Sequence, residues 1–453
     1  MMGRLFGTDG IRGIVGEDLT YELSKKVGRA LGSVLAEESG KRRKILIGTD
    51  TRLTSPRICE SVSQGIMLSG GDVILVGVCP TPAVAYLVKK RGYDAGVMIS
   101  ASHNPFQYNG IKIFGPDGFK LSDPLEDKIE ELVFGSQAGV EVNNYGRCVT
   151  DDGAITEYID YLKSCFGVSL SGLKIAVDCS FGSASVTAQR LFRGLGAECI
   201  MLADLPDGIN INEECGSTHT EKLRWVVKEK RLDAGIAFDG DADRCIAVDG
   251  NGREIDGDYI LALLAKKFKD EGRLKNGALV GTVMTNLGLV KFCEKNGISF
   301  YETKVGDRFV LEKIIECGFS LGGEQSGHII LRDYATTGDG QLTALALLSY
   351  IKESGKSLET LAAIMEKYPQ FTVNIKADST DKNALLCDGI IKEMINEAKE
   401  RIRPFGRIII RPSGTEALIR IMAEGQNATL TESICNELSE KIASRLLELK
   451  STV

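Results

Sequence analysis

The sequence predicts an α/β protein: three similar α/β domains whose loops can enclose one central site, followed by a smaller α+β domain. Three observations predict it. The chain has 453 residues, too many for one hydrophobic core. A unit of strand, helix, strand, helix, strand occurs three times along it. The third strand of each unit runs into a loop of chemically active side chains, and ligands gather at strand ends in sheets of this kind.

The first strands are the short apolar runs 44–50, 174–180 and 278–284, each ending in polar residues. Helical stretches follow at 55–68, 183–195 and 287–296, then second strands at 72–76, 198–202 and 299–303. After a further helix come third strands at 95–99, 234–238 and 319–323. The loops beyond them are Ser102-His103-Asn104-Pro105, Asp239 to Arg244, and Glu324-Gln325-Ser326-Gly327-His328. The last part changes pattern. Residues 371–376 alternate as a strand, 381–402 read as one helix, 406–411 and 417–423 as two strands around a polar turn, and 428–449 as a closing amphipathic helix. Pro369 marks a hinge before it. The expected domains are 1–153, 154–254, 255–368 and 369–453.

The formal net charge of −7 excludes a general nucleic-acid binder, which carries a basic excess. A local Arg/Lys cluster can still hold an anion. No stretch has the apolar length of a membrane span, and the N-terminus has no apolar signal region. The 12 cysteines form no Cys-x-x-Cys pair, so reduced thiols in a cytoplasmic protein are expected.

Ser102 lies between a strand and Pro105, where a turn is expected to expose its hydroxyl. A turn-forming Ser/Asn pair is the plain reading; a phosphate-carrying hydroxyl is the other. A hydrolase nucleophile with His103 as base fits poorly, because neighbours in an extended turn point apart and no Gly-x-Ser-x-Gly elbow is present. Asp239, Asp241 and Asp243 alternate, which in an extended segment sets three carboxylates on one face. They repel unless a cation neutralises them, and oxygen ligands favour Mg²⁺. An EF-hand fails, because position 12 from Asp239 is Gly250. A hydroxyl able to carry phosphate, beside such a cage, is a kit for phosphoryl transfer. Arg244 suits a phosphate oxygen. Lys112 reads either as a solvated strand lysine or, beside a cation, as an acid–base group with a lowered pKa. Glu324 and Ser326 suit sugar hydroxyls, and His328 a proton shuttle or a ligand hydrogen bond. In the last part, Arg411-Pro412-Ser413-Gly414-Thr415 offers a charged fork, two hydroxyls and loop amides, with Arg420 as a second charge. That set suits phosphate; a plain hairpin turn is the alternative.

Taken together and in this order, these motifs resemble those of the α-D-phosphohexomutase family over essentially the whole chain. Phe6-Gly7-Thr8-Asp9-Gly10-Ile11-Arg12-Gly13 is similar to the family's opening motif. The loops at Ser102, Asp239, Glu324 and Arg411 are similar to its phosphoserine, metal, sugar and phosphate loops. Gln325, Cys215 to His219 and Thr282 to Leu289 resemble the glucosamine-phosphate branch. Thr220, Pro412 and Ala417 depart from residues common there, flanking the functional groups.

The resemblance implies three α/β domains and a TATA-binding-protein-like C-terminal domain around a central cleft. It implies an isomerase that interconverts glucosamine 6-phosphate and glucosamine 1-phosphate, on the route to UDP-N-acetylglucosamine. Glucosamine 1,6-bisphosphate would be its intermediate and activator. Ser102 would be the phosphoserine, holding Mg²⁺ with Asp239, Asp241 and Asp243. Arg12, Lys112 and His328 would take acid–base or orienting roles. His103, Arg244, Glu324, Ser326, Arg411, Ser413, Gly414, Thr415 and Arg420 would bind substrate. Glucose or mannose phosphates are the neighbouring substrates, and a metal-dependent sugar phosphatase or a non-catalytic sensor are the rival classes. A homodimer is a candidate assembly; nucleic acid and membrane are not expected partners.

Overall fold

One strand order recurs in three sheets, and it places the three loops alike. The computed structural model describes residues 5–7, 9–39, 42–135, 144–403, 405–412 and 417–451. In the first sheet Tyr108–Phe114, Ala95–Ile99, Lys44–Thr49 and Asp72–Val78 lie side by side, with Ile11–Ile14 and Cys148–Thr150 at the edges. The second repeats that order as Cys245–Asp249, Ala234–Phe238, Lys174–Asp178 and Glu198–Leu202, with Glu254–Ile255 at one edge. The third repeats it as Ile329–Leu331, Leu321–Gly323, Ala278–Thr282 and Ser299–Thr303. In every case the first strand pairs parallel with the second and third, and the third pairs antiparallel with a fourth. The functional loops are the three turns between third and fourth strands.

A finer repeat sits at the end of each first strand. Asp50 Oδ1 accepts from the Arg52 amide at 3.0 Å, Asp178 Oδ1 from the Ser180 amide at 2.9 Å, and Thr282 Oγ1 from the Met284 amide at 3.2 Å. Each side chain closes a turn two residues on, which stops the strand where the sheet meets its loops. The first strands are buried on both faces, as parallel strands covered by helices must be. The helix Ser55–Leu68 begins with Pro56, whose missing N–H costs nothing there, and buries Ile58, Val62 and Ile66 at helical spacing. The helix Gly340–Ser354 is capped by Asp339, whose Oδ1 accepts from the Leu342 amide at 2.9 Å.

Four local expectations change. The stretch 183–195 is a short 3₁₀ turn, Ser183–Val186, and a separate helix, Ala188–Gly194, because Thr187 leaves helical geometry at φ −120°. The third strand expected at 319–323 is ordered as strand only over Leu321–Gly323. The single helix expected at 381–402 is two, Ser379–Cys387 and Gly389–Ile402. Asp388 between them is extended, and its Oδ1 caps the second helix by accepting from the Ile391 amide at 2.9 Å.

The fourth correction concerns the hinge. The chain forms two compact units, one of residues 1–284 and 293–364, the other of 285–292 and 365–453. Pro369 lies inside the second, where its carbonyl accepts from the Gly425 amide at 3.1 Å. In that unit Gln370–Lys376, Leu418–Gly425 and Gly406–Pro412 form an antiparallel sheet covered by Gly389–Ile402 and Ala428–Ser451. Ile391, Ile419, Ile421, Ile434 and Ile442 form its core. The 12 cysteines are free thiols, with only Cys148 and Cys387 exposed. Among the described residues no helix is long and apolar enough to cross a membrane.

Candidate active site

Ser102 Oγ donates to Asp239 Oδ2 across 2.5 Å, so the first and second repeats meet at the two groups singled out in sequence. Ser102 is 1% exposed. The expected exposed hydroxyl is therefore corrected: the turn folds it inward. Its φ of +52° is unusual for a serine, and its neighbours enforce it. The Ser102 amide donates to Ser100 Oγ at 3.0 Å, and Ser100 Oγ donates to Asp50 at 2.7 Å. Arg52 and Asn212 Nδ2 each donate to the Ser102 carbonyl at 2.9 Å.

The three aspartates do converge, but not by extended alternation. Residues 240–242 form a turn, with Ala242 at φ +56° and its amide donating to the Asp239 carbonyl at 3.0 Å. One oxygen from each of Asp239, Asp241 and Asp243 lies within 4.8 Å of the others, and all three residues are buried. Asp241 Oδ1 and Asp243 Oδ1 are buried without a hydrogen-bond partner. Burial, then Asp243 and Asp241, push the Asp239 carboxyl up to about 8. Two orphaned carboxylate oxygens and a third carboxyl this strained fit a hard divalent cation. The residues present therefore suit Mg²⁺.

Lys112 is buried, not solvated. Its Nζ lies 2.7 Å from Asp241 Oδ2, 3.0 Å from Asp9 Oδ2 and 3.4 Å from Asp243 Oδ2. Burial works against its charge, but Asp241, Asp9 and Asp243 hold its pKa above the ordinary lysine value. The downward shift expected of this lysine belongs to a site that holds a cation; with the carboxylates alone the shift is upward. Burial opposes the charge of Asp243 as well, yet Lys112 and His328 hold that carboxyl below the usual range.

His328 Nδ1 faces Asp243 Oδ2 at 3.6 Å, and its Nε2 accepts from the Gly338 amide at 3.2 Å. Burial and the Gly338 contact favour the neutral ring, while Asp243 and then Asp307 pull its pKa upward, to about 9. His103 shifts the other way, to about 4, through burial and the charges of Arg244 and Arg12. Arg244 bridges the main chain of His328, joining second and third repeats. Its Nε stands 3.9 Å from Asp239 and 4.0 Å from Asp243. Arg12 pairs with Asp9. Glu324 Oε1 accepts from the Gly306 amide at 3.0 Å, and Ser326 is exposed at the loop tip.

In the second unit Arg411 and Arg420 are cross-strand partners. Like charges directly opposed repel, and two arginines side by side suit an anion. Ser413, Gly414 and Thr415 fall outside the described residues.

Several residues in the site were not singled out in sequence. Asp9 was visible only as part of a motif. Lys120 and Asp307 pair 2.5 Å apart, and Lys120 also reaches Asp9. Thr81 Oγ1 donates to Asp241 Oδ2 at 2.6 Å. Arg52 and Asn212 bind the serine loop from beneath. The polar ends of the first strands could have flagged Asp50 and Arg52; the others are single polar residues without a local pattern.

Three α/β repeats, a serine hydroxyl beside an acidic triplet, and a separate arginine hairpin define a phosphosugar mutase architecture. Models of the phosphoglucomutase/phosphomannomutase family match it throughout: alpha/beta/alpha domain I at 3–139, domain II at 156–252, domain III at 256–368 and the C-terminal domain at 357–441. The chain belongs to that family. It is similar to the phosphoglucosamine mutase of Clostridium novyi (strain NT), 48% identical over 98% of this chain and 99% of that one. It is equally similar to that of Caldicellulosiruptor bescii, 48% identical over 98% of this chain and 100% of that one. Among solved structures, a phosphoglucomutase/phosphomannomutase family protein from Burkholderia thailandensis shares the fold, with TM-score 0.83 and 22% identity over 98% of both chains. So does Aspergillus fumigatus N-acetylphosphoglucosamine mutase in complex with GlcNAc-6P and magnesium, with TM-score 0.68 and 18% identity over 97% of this chain and 95% of that one.

Proposed function

We propose that the chain is an isomerase that interconverts glucosamine 6-phosphate and glucosamine 1-phosphate, with Ser102 as the phosphoryl carrier. The 2.5 Å approach of Ser102 Oγ to Asp239 carries the chemical part of this reading. The near-half identity to phosphoglucosamine mutases over the whole chain supports the choice of sugar.

Phospho-Ser102 gives its phosphoryl group to the O1 hydroxyl of glucosamine 6-phosphate. The bond from phosphorus to the serine oxygen breaks, the bond to O1 forms, and the O1 proton ends on the serine oxygen. The product, glucosamine 1,6-bisphosphate, turns over and returns its other phosphoryl group to Ser102. Asp239, Asp241, Asp243 and the serine phosphate would hold Mg²⁺, which when bound supplies positive charge to the transferring group. Lys112, kept charged by Asp241, Asp9 and Asp243, can lend a proton and recover it, and His328, made more basic by Asp243, can take one up. Arg12 assists that role. His103 and Arg244 bind the reacting phosphate, and Glu324 and Ser326 bind sugar hydroxyls. Arg411 and Arg420, with Ser413, Gly414 and Thr415, grip the phosphate that is not being transferred. The four functional loops are assigned in turn to domains 1–153, 154–254, 255–368 and 369–453.

Ser102→Ala tests the reading. The variant loses interconversion of the two monophosphates, while the unaltered protein releases no stoichiometric inorganic phosphate. Normal turnover by Ser102→Ala refutes a covalent route, and steady phosphate release by the unaltered protein makes it a phosphatase.

A further inference from the structure

Six titratable groups around the centre close into a ring in which acids alternate with bases. Lys112 meets Asp9 at 3.0 Å, Asp9 meets Lys120 at 2.5 Å, and Lys120 meets Asp307 at 2.5 Å. Asp307 faces His328 at 3.7 Å, His328 faces Asp243 at 3.6 Å, and Asp243 returns to Lys112 at 3.4 Å. Lys112, Asp9 and Lys120 come from the first repeat, Asp243 from the second, and Asp307 and His328 from the third. Lys120 and Asp307 form the arc farthest from the acidic triplet.

The neighbours of Asp307 extend the reach of the pair to the sugar loop. Asp307 opens the helix Asp307–Cys317, and the residue before it, Gly306, donates its amide to Glu324. Holding Asp307 therefore holds the segment that grips the carboxylate of the sugar loop. The next residue, Arg308, reaches Asp123 at 2.7 Å and Glu126 at 3.7 Å on a first-repeat helix. Thr336 Oγ1 also donates to the Gly118 carbonyl at 2.6 Å along the same seam. The Lys120 and Asp307 side chains are only 16% and 15% exposed, so salt screens the pair less than it would a surface ion pair.

We propose that Lys120 and Asp307 are a positioning pair that sets the Glu324–His328 loop against the Ser102 centre. The pair governs sugar binding rather than phosphoryl transfer, because Asp9 keeps Lys112 and Arg12 as partners when Lys120 is removed. The inference rests on the mutase reading above.

The test compares Lys120→Met, Asp307→Asn, the double variant and Lys120→Arg in the full chain with glucosamine 6-phosphate. Each neutral single variant should raise KM about ten-fold, the scale of one charge-assisted hydrogen bond. For Lys120→Met the kcat should hold within about three-fold, as should the rate of Ser102 phosphorylation by hexose 1,6-bisphosphate, read by intact mass. Asp307→Asn also removes a charge facing His328, so its readout is KM alone. The double variant should be no worse than the poorer single one, since both break the same link. Lys120→Arg should restore KM. An unchanged KM, a fall confined to kcat, or additive losses in the double variant overturn the inference. So does a Lys120→Arg variant as poor as Lys120→Met. An unaltered protein that fails to interconvert the monophosphates instead overturns the mutase reading, and the pair's role with it.

Discussion

Arg52 donates to the main-chain carbonyl of Ser102 across 2.9 Å, and its own charge is balanced by Asp50 at 2.8 Å with neither side chain reaching solvent. It also reaches the carbonyls of Asn104 at 2.8 Å and Pro105 at 2.5 Å. The serine loop is thus held by this buried ion pair together with Asn212.

Arg52→Met leaves the Asp50 carboxylate buried without its cation, beside the Ser55 and Ser100 hydroxyls and the residue-52 amide. Breaking a buried pair from one side costs about 3–5 kcal/mol. Urea unfolding should show that loss. A change under about 1 kcal/mol would mean that other contacts hold the loop.

Gly240→Ala should disable the enzyme without unfolding it. A Cβ there would meet the Ser102 carbonyl oxygen at 2.6 Å and Ile211 Cδ1 at 2.8 Å, prying the acidic loop from the serine loop. Displacement of reacting groups by about 1 Å costs on the order of a hundred-fold in rate. Turnover within a few-fold of the unaltered protein, with a normal circular dichroism spectrum, would contradict the contact.

Chelation of divalent cations should stop turnover, and Mg²⁺ should restore it. Mg²⁺ should also raise the unfolding temperature of the unaltered protein, because a ligand of the native state stabilises it. Asp241→Asn should lose that shift. An equal Mg²⁺-dependent shift in both proteins would remove the acidic triplet as the cation's site.

Arg411→Ala should weaken binding of glucosamine 6-phosphate and glucosamine 1-phosphate alike, by about ten- to a hundred-fold each. Calorimetric titration reads both. A loss confined to one isomer would argue against a cradle that accepts either phosphate.

Asp339 supplies a pH-dependent term. Burial lifts its carboxyl to about 6, against which the Leu342 amide and the Tyr158 hydroxyl pull downward. The native state therefore binds this proton more tightly than the unfolded chain. The stabilisation is complete below about pH 4 and is lost as pH rises through about 6. Asp339→Asn keeps a capping oxygen but removes the titration. Its stability relative to the unaltered protein should improve by about 3 kcal/mol between pH 4 and pH 8. A difference constant across that range would show that Asp339 titrates normally.

The residues that carry chemistry by their type were legible in sequence. Ser102, the acidic triplet, Glu324 and His328 each come after an apolar run that can only be a strand, so pattern and chemistry coincide. How they meet was not legible. Alternation picked the right aspartates, yet a left-handed Ala242 brings them together. Ser102 was expected to face outward because nothing near it in sequence reveals Arg52 and Asn212 drawing its carbonyl inward. Lys120 and Asp307 are single charges without a local pattern, and their meaning lies in a contact between two repeats. The repeat count was readable because strand order follows from element order; the break at Asp388 was not, because an aspartate can sit in a helix or cap one.

Glu424 in the last domain is fully buried, and its carboxylate is satisfied by Arg407 at 2.8 Å and by the Leu287 amide at 3.0 Å. Asn286 and Tyr368 exchange two further hydrogen bonds, at 3.0 and 2.9 Å. Both Asn286 and Leu287 are lent by a stretch of chain from well upstream. Excised as an autonomous piece starting near residue 365, the tail would strand that acid with half its partners gone. A soluble fragment for ligand screening would need the loan repaid, either by grafting 285–292 back or by making residue 424 neutral.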